Sequence, residues 1–287
     1  MSTAPDRIAR FARLVRTGQV ERAEGRLHVG VDLGTANIVM AVVDDTGSPV
    51  AGAWRHSTVV RDGIVVDWQG AVAAVRSLRA DLSAALGQPL AQASVAVPPG
   101  ISAGTIKVFT NVLEAAGMAP VEVVDEPVAA ARVLGISNGA VIDVGHGTTG
   151  VSVLRNSEVV VSEDEATGGH HMTLVIAGSL DISYDEAERL KQSPDQRDLV
   201  LGLIRPTLEK MALIARGIFD RTPQAASLDT IHLVGGSSSH PQAAQVFAEV
   251  LGRHVVRPDE PLFVTPLGIP AVPAPTHRSE EDDDDRS

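Results

Sequence analysis

The sequence predicts an α/β protein made of two similar lobes that face each other across a cleft. Short Val-rich segments alternate along the chain with Ala-rich helical segments, an order typical of sheets covered by helices. Only 3% of the residues are aromatic, so Val, Ala and Leu must fill the core. A strand–turn–strand pattern in the first half recurs in the second half, which indicates a duplicated unit.

The composition excludes several classes of protein. The 287 residues carry a formal net charge of −12, and the chain stays acidic when the run 280–285 is set aside, which argues against a nucleic-acid partner. Cysteine is absent, which removes disulfides, thiolate chemistry and cysteine metal sites. No apolar run approaches the ~18 residues of a membrane span, and the N-terminus lacks the apolar region of a signal peptide. These features predict a cytoplasmic protein with no membrane partner.

Residues 1–26 predict an amphipathic helix and a connector. Between residues 5 and 15 the apolar side chains share one helical face, and arginines surround that face. The apolar positions are Ile8, Phe11, Leu14 and Val15, and the basic positions are Arg7, Arg10, Arg13 and Arg16. The polar stretch 18–25 that follows would allow this helix to be separable from the rest of the chain.

Residues 27–138 predict the first lobe, with short Val-rich strands and helices bounded by Ser, Pro and Gly. Strands are expected at 27–32, 38–44, 49–54, 64–68, 93–100 and 121–126, with a turn at 61–63 and helices at 69–86 and 102–116. Another short helix is expected to start near Glu126 and Pro127, because proline is tolerated in the first helical turn.

Residues 139–272 predict the second lobe. Strands are expected at 140–145 and 229–236, with a hairpin around Asn156 and helices that start at His171 and Tyr184 or span 195–219 and 241–251. The remaining segment, 273–287, is Pro-rich and then acidic, a composition that predicts a disordered tail.

The repeated pattern predicts a phosphate site. Residues 31–43 read VDLGTANIVMAVV and residues 142–154 read IDVGHGTTGVSVL, so each strand carries an Asp before a Gly-containing polar turn. Glycines let backbone N–H groups approach phosphate oxygens, and threonine hydroxyls add donors. Asp32 and Asp143 can each hold waters of a Mg²⁺ ion that keeps most of its hydration.

A third segment, IHLVGGSSSHP at 231–241, combines a strand, a glycine pair, hydroxyl side chains and a helix start. A glycine pair at a strand end offers a flat backbone surface on which adenine or ribose can lie. The chain has neither the GxxxxGK[ST] pattern of a Walker loop nor a GxGxxG after the first strand.

With these motifs the sequence resembles the actin-like ATPase superfamily of actins, DnaK-type heat-shock ATPases and sugar kinases. The resemblance implies two ribonuclease-H-like lobes around a nucleotide cleft that binds ATP or ADP with Mg²⁺. It assigns phosphate contacts to Gly34, Thr35, Asn37, Gly145, His146, Gly147, Thr148 and Thr149, Mg²⁺-bound water to Asp32 and Asp143, the attacking water to Glu126, and the nucleoside to Glu188, Lys191, Gly235, Gly236 and Ser237. Residues 125–131 and 264–272 are similar to the two helices that connect the lobes.

Four further motifs narrow the resemblance to the EutJ family of ethanolamine-utilisation proteins. They are VVRDGIVVD, VLEAAG, DEATGGHH and LFVTPLGI, and they occur in that order between residues 27 and 272. The family implies a chaperone or maintenance factor for ethanolamine ammonia-lyase or other microcompartment proteins. It also gives the N-terminal helix two alternative uses, which are packing on its own domain or targeting the protein to a microcompartment shell.

Departures from the superfamily pattern favour nucleotide binding over rapid hydrolysis. Ala36 replaces a threonine of the heat-shock ATPases, His146 a glycine, and Gly150 an acid that many members carry. Each lost donor or carboxylate reduces the rate by ~10²-fold or more. Short intervals after Val43 and after His171 predict reduced outer subdomains. His146 contacts a phosphate or points outward, and a metal at His170 and His171 is disfavoured for want of a third ligand.

Two other functions remain as alternatives. The protein could polymerise like a rod-shape actin, which the reduced outer subdomains disfavour. It could also be a small-molecule kinase, for which the sequence shows neither an acceptor-binding insertion nor a clear general base.

Overall fold

Two five-stranded sheets form the centres of two lobes, as predicted. The computed structural model describes residues 2–61 and 63–272. The first sheet has the strand order β3 (Pro49–His56), β2 (Asn37–Val43), β1 (His28–Leu33), β6 (Gln92–Val97), β7 (Ala119–Asp125). The second has the order β10 (Glu158–Glu165), β9 (Thr149–Arg155), β8 (Gly139–Val144), β11 (Thr230–Val234), β12 (His254–Val256). In both sheets the first three strands pair antiparallel, and the next two join parallel, so the two lobes share one topology.

The first lobe contains the first sheet, a small hairpin and two covering helices. Its strands are β1 (His28–Leu33), β2 (Asn37–Val43), β3 (Pro49–His56), β6 (Gln92–Val97) and β7 (Ala119–Asp125), its hairpin is β4 (Val60–Arg61) with β5 (Ile64–Val65), and its helices are α2 (Trp68–Leu86) and α3 (Ala103–Ala115). Buried Val, Leu and Phe side chains of both helices pack against the sheet. In the described part of the interval between β2 and β6, the hairpin is the only element outside the sheet and its covering helices, in keeping with a reduced outer subdomain.

The strand expected at 64–68 is wrong beyond its second residue. Its remainder starts α2, because the Asp67 side chain accepts a hydrogen bond of 2.9 Å from the backbone N–H of Gly70 and caps the helix. A capping Asp that follows an apolar run resembles the end of a strand in sequence. Ile64 and Val65 therefore form a strand, as their β-propensity predicts, whereas the cap at Asp67 starts the helix from the next residue.

The second lobe contains the second sheet and four helices. Its strands are β8 (Gly139–Val144), β9 (Thr149–Arg155), β10 (Glu158–Glu165), β11 (Thr230–Val234) and β12 (His254–Val256), and its helices are α5 (Gly169–Leu180), α6 (Tyr184–Lys191), α7 (Arg197–Asp220) and α8 (Ala243–Leu251). The sequence did not predict β12, whose three residues are too short to show a period. Helix α7 accommodates Pro206 in its interior.

The N-terminal helix α1 (Ala4–Thr17) lies on the first lobe, so the structure shows the first of its two proposed uses. Its apolar face is buried, with Phe11 0% exposed. The Phe11 ring lies over Gly52 of β3, where a Cβ atom would overlap it, and packs edge-on against Phe263 at 5.8 Å between centroids. The separation that the connector would allow is therefore not seen.

Two helices connect the lobes and cross between them. Helix α4 (Glu126–Leu134) leads from β7 to β8, and α9 (Val264–Gly268) packs on α4 and on β1 and β2. The helices approach so closely that a Cβ atom on Gly268 would overlap the carbonyl oxygen of Ala129. The tail expected at 273–287 lies outside the described residues. Within 2–61 and 63–272, no helix has the length and apolar character needed to cross a bilayer.

Candidate nucleotide-binding site

A cavity of about 1020 Å³ lies between the two lobes. Both repeated turns, the start of α4, the exit of β11 and the inner face of α6 line it. It brings together Asp32, Gly34, Thr35, Asn37, Glu126, Asp143, Gly145, His146, Gly147, Thr148, Glu188, Lys191, Gly235, Gly236 and Ser237, which are all the predicted site residues except Thr149.

Three carboxylates meet at the base of the cavity. Asp32 lies in β1, Asp143 in β8 and Glu126 at the first position of α4. Burial raises the pKa of Asp32 to about 7, and the charge of Asp143 adds to the effect. Burial also raises the pKa of Asp143 to about 6 although the Thr265 hydroxyl donates a hydrogen bond to it, and burial with Asp32 raises that of Glu126 well above its usual range.

This donor set suits a hydrated divalent cation. Within residues 2–61 and 63–272, no hydrogen bond reaches the carboxylates of Asp32 or Glu126. Their negative charge must therefore be neutralised by a bound proton or by a cation. Mg²⁺ takes oxygen ligands and keeps several waters, which fits two carboxylates that face one cavity. The same described residues contain no group of three His, Cys, Asp or Glu side chains that could hold a metal directly, at His170 and His171 or elsewhere.

The turn between β1 and β2 presents its backbone to the cavity. A Cβ atom on Gly34 would lie 2.8 Å from the carbonyl oxygen of Asn37, so only glycine fits the turn. The carbonyl of Ala36 accepts a hydrogen bond of 2.9 Å from Ser57 N–H, which ties the turn to the chain beyond β3. The turn is therefore held in shape before any ligand arrives.

The turn between β8 and β9 is fixed by the start of α5. The N–H groups of Gly169 and His170 donate to the carbonyls of Gly145 and His146 at 3.0 and 2.7 Å. Helix α5 therefore starts at Gly169, two residues before the predicted start at His171. A Cβ atom on Gly168 would lie 2.5 Å from the carbonyl oxygen of His146, and one on Gly169 would overlap the Ser237 side chain, so both glycines before the histidines are needed for this approach.

Thr149 does not line the cavity, so the structure does not place its side chain for the predicted phosphate contact. It is 0% exposed in β9, and its hydroxyl donates a 2.5 Å hydrogen bond to the carbonyl of Thr167. Neighbouring residues of a strand point to opposite faces, so Thr148 faces the cavity while Thr149 points to the segment that leads into α5.

His146 has a partner that the sequence reasoning missed. Its Nε2 lies 3.0 Å from the hydroxyl of Tyr184, and Nδ1 of His170 lies 2.8 Å from the same hydroxyl. Burial, followed by the charge of Lys191, lowers the pKa of His146 to about 4, so the imidazole is neutral near pH 7. A usable signal was present, because Tyr184 precedes Glu188 and Lys191 by four and seven residues and shares their helix face.

Glu188 and Lys191 form a partly buried ion pair on α6. The Lys191 ammonium lies 2.7 Å from Glu188 Oε2, 2.8 Å from the Thr173 hydroxyl and 3.1 Å from the Gly169 carbonyl. Burial lowers the pKa of Lys191, whereas the charge of Glu188 opposes this shift. The pair thus joins α6 to the first turn of α5 at the side of the cavity.

The glycine pair after β11 forms a smooth wall beside the carboxylates. Gly235 has φ of +87°, and a Cβ atom there would overlap a carboxylate oxygen of Asp143. A Cβ atom on Gly236 would lie 2.9 Å from Leu262, a second cavity residue that the sequence reasoning missed. Ser237 lies next, against Gly169 of α5.

Comparisons with known proteins agree with this architecture. The family model for the type IV pilus assembly protein PilM matches residues 106–260. The ethanolamine utilization protein EutJ of Escherichia coli strain K12 is 40% identical over 248 residues, which cover 86% of each chain.

Two solved structures share the fold. The crystal structure of EutJ from Carboxydothermus hydrogenoformans superposes with a TM-score of 0.87 at 41% identity, covering 93% of this chain and 97% of that one. MreB 5 of Spiroplasma citri, solved with AMPPNP, has a TM-score of 0.68 at 17% identity over 85% of this chain and 95% of its own. The chain therefore belongs to the EutJ family of ethanolamine-utilisation proteins, within the actin- and DnaK-like ATPase superfamily.

Proposed function

We propose that this EutJ-family protein binds Mg·ATP and Mg·ADP in the cleft and couples nucleotide state to lobe closure. The observation that carries the proposal is the pair of Asp-containing turns that face one cavity beside the glycine pair of β11. MreB 5, which has the same fold, was solved with AMPPNP, and this supports a nucleotide as the ligand class.

Each group around the cavity then has a role. The turns at 34–37 and 145–148 donate backbone N–H and hydroxyl hydrogen bonds to phosphate oxygens, and the wall at 235–237 receives the nucleoside. Asp32 and Asp143 hold the waters of Mg²⁺. When bound, the ion neutralises the carboxylates and the phosphates together. Glu188 and Lys191 bond the ribose from α6.

The same groups favour holding ATP over hydrolysing it. Glu126 is the residue available to orient an attacking water, and in the cation-free cleft burial and then the charge of Asp32 raise its pKa. Thr149 is used for structure, and Gly150 offers no carboxylate. Slow turnover, or binding without turnover, follows from this set.

We further propose that the nucleotide state controls a client in the cytoplasm. The client we propose is ethanolamine ammonia-lyase or another microcompartment protein; the relatives support only the link to ethanolamine utilisation. Client capture that depends on ATP, measured with purified ammonia-lyase or shell proteins, tests this part separately from nucleotide binding.

Calorimetric titration of ATP and ADP, with and without Mg²⁺, tests the binding proposal. We expect one site that requires Mg²⁺ for full affinity. Asp32→Ala should weaken Mg·ATP binding at least about tenfold, or about 1.4 kcal/mol, because one support of the cation is lost. Asp229→Ala is the matched control, since Asp229 is an exposed aspartate away from the cavity. Absence of any nucleotide binding by the unaltered protein would disprove the proposal.

A further inference from the structure

Three side chains form a hydrogen-bonded chain at the edge of the cleft. His146 comes from the turn between β8 and β9, His170 from the first turn of α5 and Tyr184 from the first position of α6. The Tyr184 hydroxyl lies between the two imidazoles, 3.0 Å from His146 Nε2 and 2.8 Å from His170 Nδ1. All three residues line the cavity, and Tyr184 is the only tyrosine in the sequence.

At His146 two arrangements are possible. The Tyr184 hydroxyl, which also bonds the Thr173 side chain, has one proton and can accept as well, so His146 Nε2 either accepts that proton or donates its own N–H to the Tyr184 oxygen. If Tyr184 donates to His146, the neutral imidazole carries its proton on Nδ1. If His146 donates to Tyr184, its Nδ1 carries a lone pair instead.

A bound phosphate distinguishes the two arrangements. Phosphate oxygens are acceptors, so an imidazole beside them must present an N–H. His146 lies between Gly145 and Gly147 in the turn that faces the cavity, and burial with the nearby charge of Lys191 keeps its ring neutral. Only the arrangement in which Tyr184 donates to Nε2 leaves a neutral His146 with an N–H to offer.

We propose that Tyr184 is a positioning residue that fixes the tautomer of His146, so that the neutral imidazole donates its Nδ1–H to a phosphate oxygen of the bound nucleotide. This role rests on the proposed nucleotide function. The fixed neutral tautomer explains how His146 can stand where related turns have a glycine without placing a second positive charge beside Lys191.

The hydrogen bonds among His146, Tyr184 and His170 also connect phosphate recognition to nucleoside recognition. Tyr184, Glu188 and Lys191 share one face of α6, and the turn that carries His146 is bonded to α5 through the Gly169 and His170 N–H groups. A phosphate that binds His146 therefore also affects, through the Tyr184 hydroxyl, the position of α6, which contacts the ribose.

Tyr184→Phe in the full-length protein tests the inference, because it removes only the hydroxyl. Calorimetry should show Mg·ADP and Mg·ATP binding weakened about three- to tenfold, the usual effect of one lost neutral hydrogen bond, with adenosine affinity unchanged. In a His146→Ala background the same substitution should have no further effect on Mg·ADP, since the two residues act as one unit. Imidazole ¹⁵N shifts should place the His146 proton on Nδ1 in the Mg·ADP complex and show mixed tautomers in Tyr184→Phe.

The outcomes separate this inference from the function on which it rests. Equal losses for ADP and adenosine would mean that Tyr184 only supports α6, and additive losses in the double variant would remove the link to His146. Either result, or unchanged Mg·ADP affinity, overturns the inference while the unaltered protein still binds Mg·ATP. No nucleotide binding by the unaltered protein overturns both.

Discussion

Asp32 and Asp143 place two carboxylates in one cavity, where Asp143 is buried and Asp32 is half-buried. Burial and mutual repulsion raise the pKa of Asp32 to about 7, while that of Asp143 is about 6. Near neutral pH, the cation-free site must therefore either bind a proton or carry two negative charges that nothing neutralises. A divalent ion removes this conflict, which ties the electrostatics of the site to its proposed ligand.

The pH dependence of stability follows from these shifts. A carboxylate whose pKa is higher in the folded protein takes up a proton on folding, so it destabilises the fold fully above its folded pKa and less as the pH falls towards 3.8. We therefore expect the unliganded protein to gain thermal stability between pH 8 and pH 6, and Asp32→Asn to reduce this gain and to raise the melting temperature at pH 8.

Thermal denaturation at several pH values, in buffers free of divalent ions, measures the effect. Asp229→Asn serves as the control, since it removes an exposed aspartate outside the cavity and should follow the unaltered protein. Parallel curves for the unaltered protein and Asp32→Asn would contradict the expectation.

At single residues, the sequence predicted which side chains line the cavity wherever the signal is local. The carboxylates and glycines of both turns were recognised because each lies within a short repeated segment. Tyr184 and Leu262 were missed because tertiary packing brings them to the cavity from distant parts of the sequence. Tyr184, for example, lies 38 residues from His146. Thr149 was predicted together with Thr148 because the motif does not reveal which of two neighbouring threonines faces the cavity.

Among the elements, α4 and α9 determine how the lobes are joined. Their crossing has no room for a side chain at Gly268, where a Cβ atom would overlap the Ala129 carbonyl and lie 3.0 Å from the Val133 side chain. Backbone atoms cannot move aside as flexible side chains can, so the two helices would have to separate.

Gly268→Ala should therefore destabilise the protein by about 1–3 kcal/mol or more, as overpacked sites do. The matched control is Gly178→Ala in α5, where the surroundings are open and alanine should stabilise the helix by up to about 1 kcal/mol. Urea unfolding of both variants measures the difference. Equal stability of Gly268→Ala and the unaltered protein would show that the crossing is looser than described.

Most elements were predictable because their signals are local. Helix α3 starts after Ser102 as expected, and α2 ends at Leu86, before the capping residue Gly87, whose φ is +67°. The placement of α1 was left open, because an apolar helical face fits an internal sheet as well as an external partner. What decides it is Gly52 in β3, which leaves room for the Phe11 ring.

At the scale of the whole molecule, the repeated topology gives the cleft two walls of similar construction. Each lobe contributes one turn, and the lobes are joined through the two crossing helices. The repeat in sequence predicted this arrangement, whereas the way the second connecting helix returns to β1 and β2 depends on contacts between distant segments. A ligand that bridges both turns therefore draws the lobes together.

Closure should be visible in solution. We expect Mg·ATP to lower the radius of gyration of the unaltered protein in small-angle X-ray scattering without changing its molecular mass, because one ligand then contacts both turns. Asp143→Asn should bind Mg·ATP more weakly and show no closure at the same ligand concentration, while Asp229→Asn, outside the cavity, should close normally. A rise in mass with ATP would instead favour the polymerising alternative. An unchanged radius at saturating Mg·ATP would mean that nucleotide binds without moving the lobes, and the coupling of nucleotide state to a client would then have to act through α5 and α6 alone.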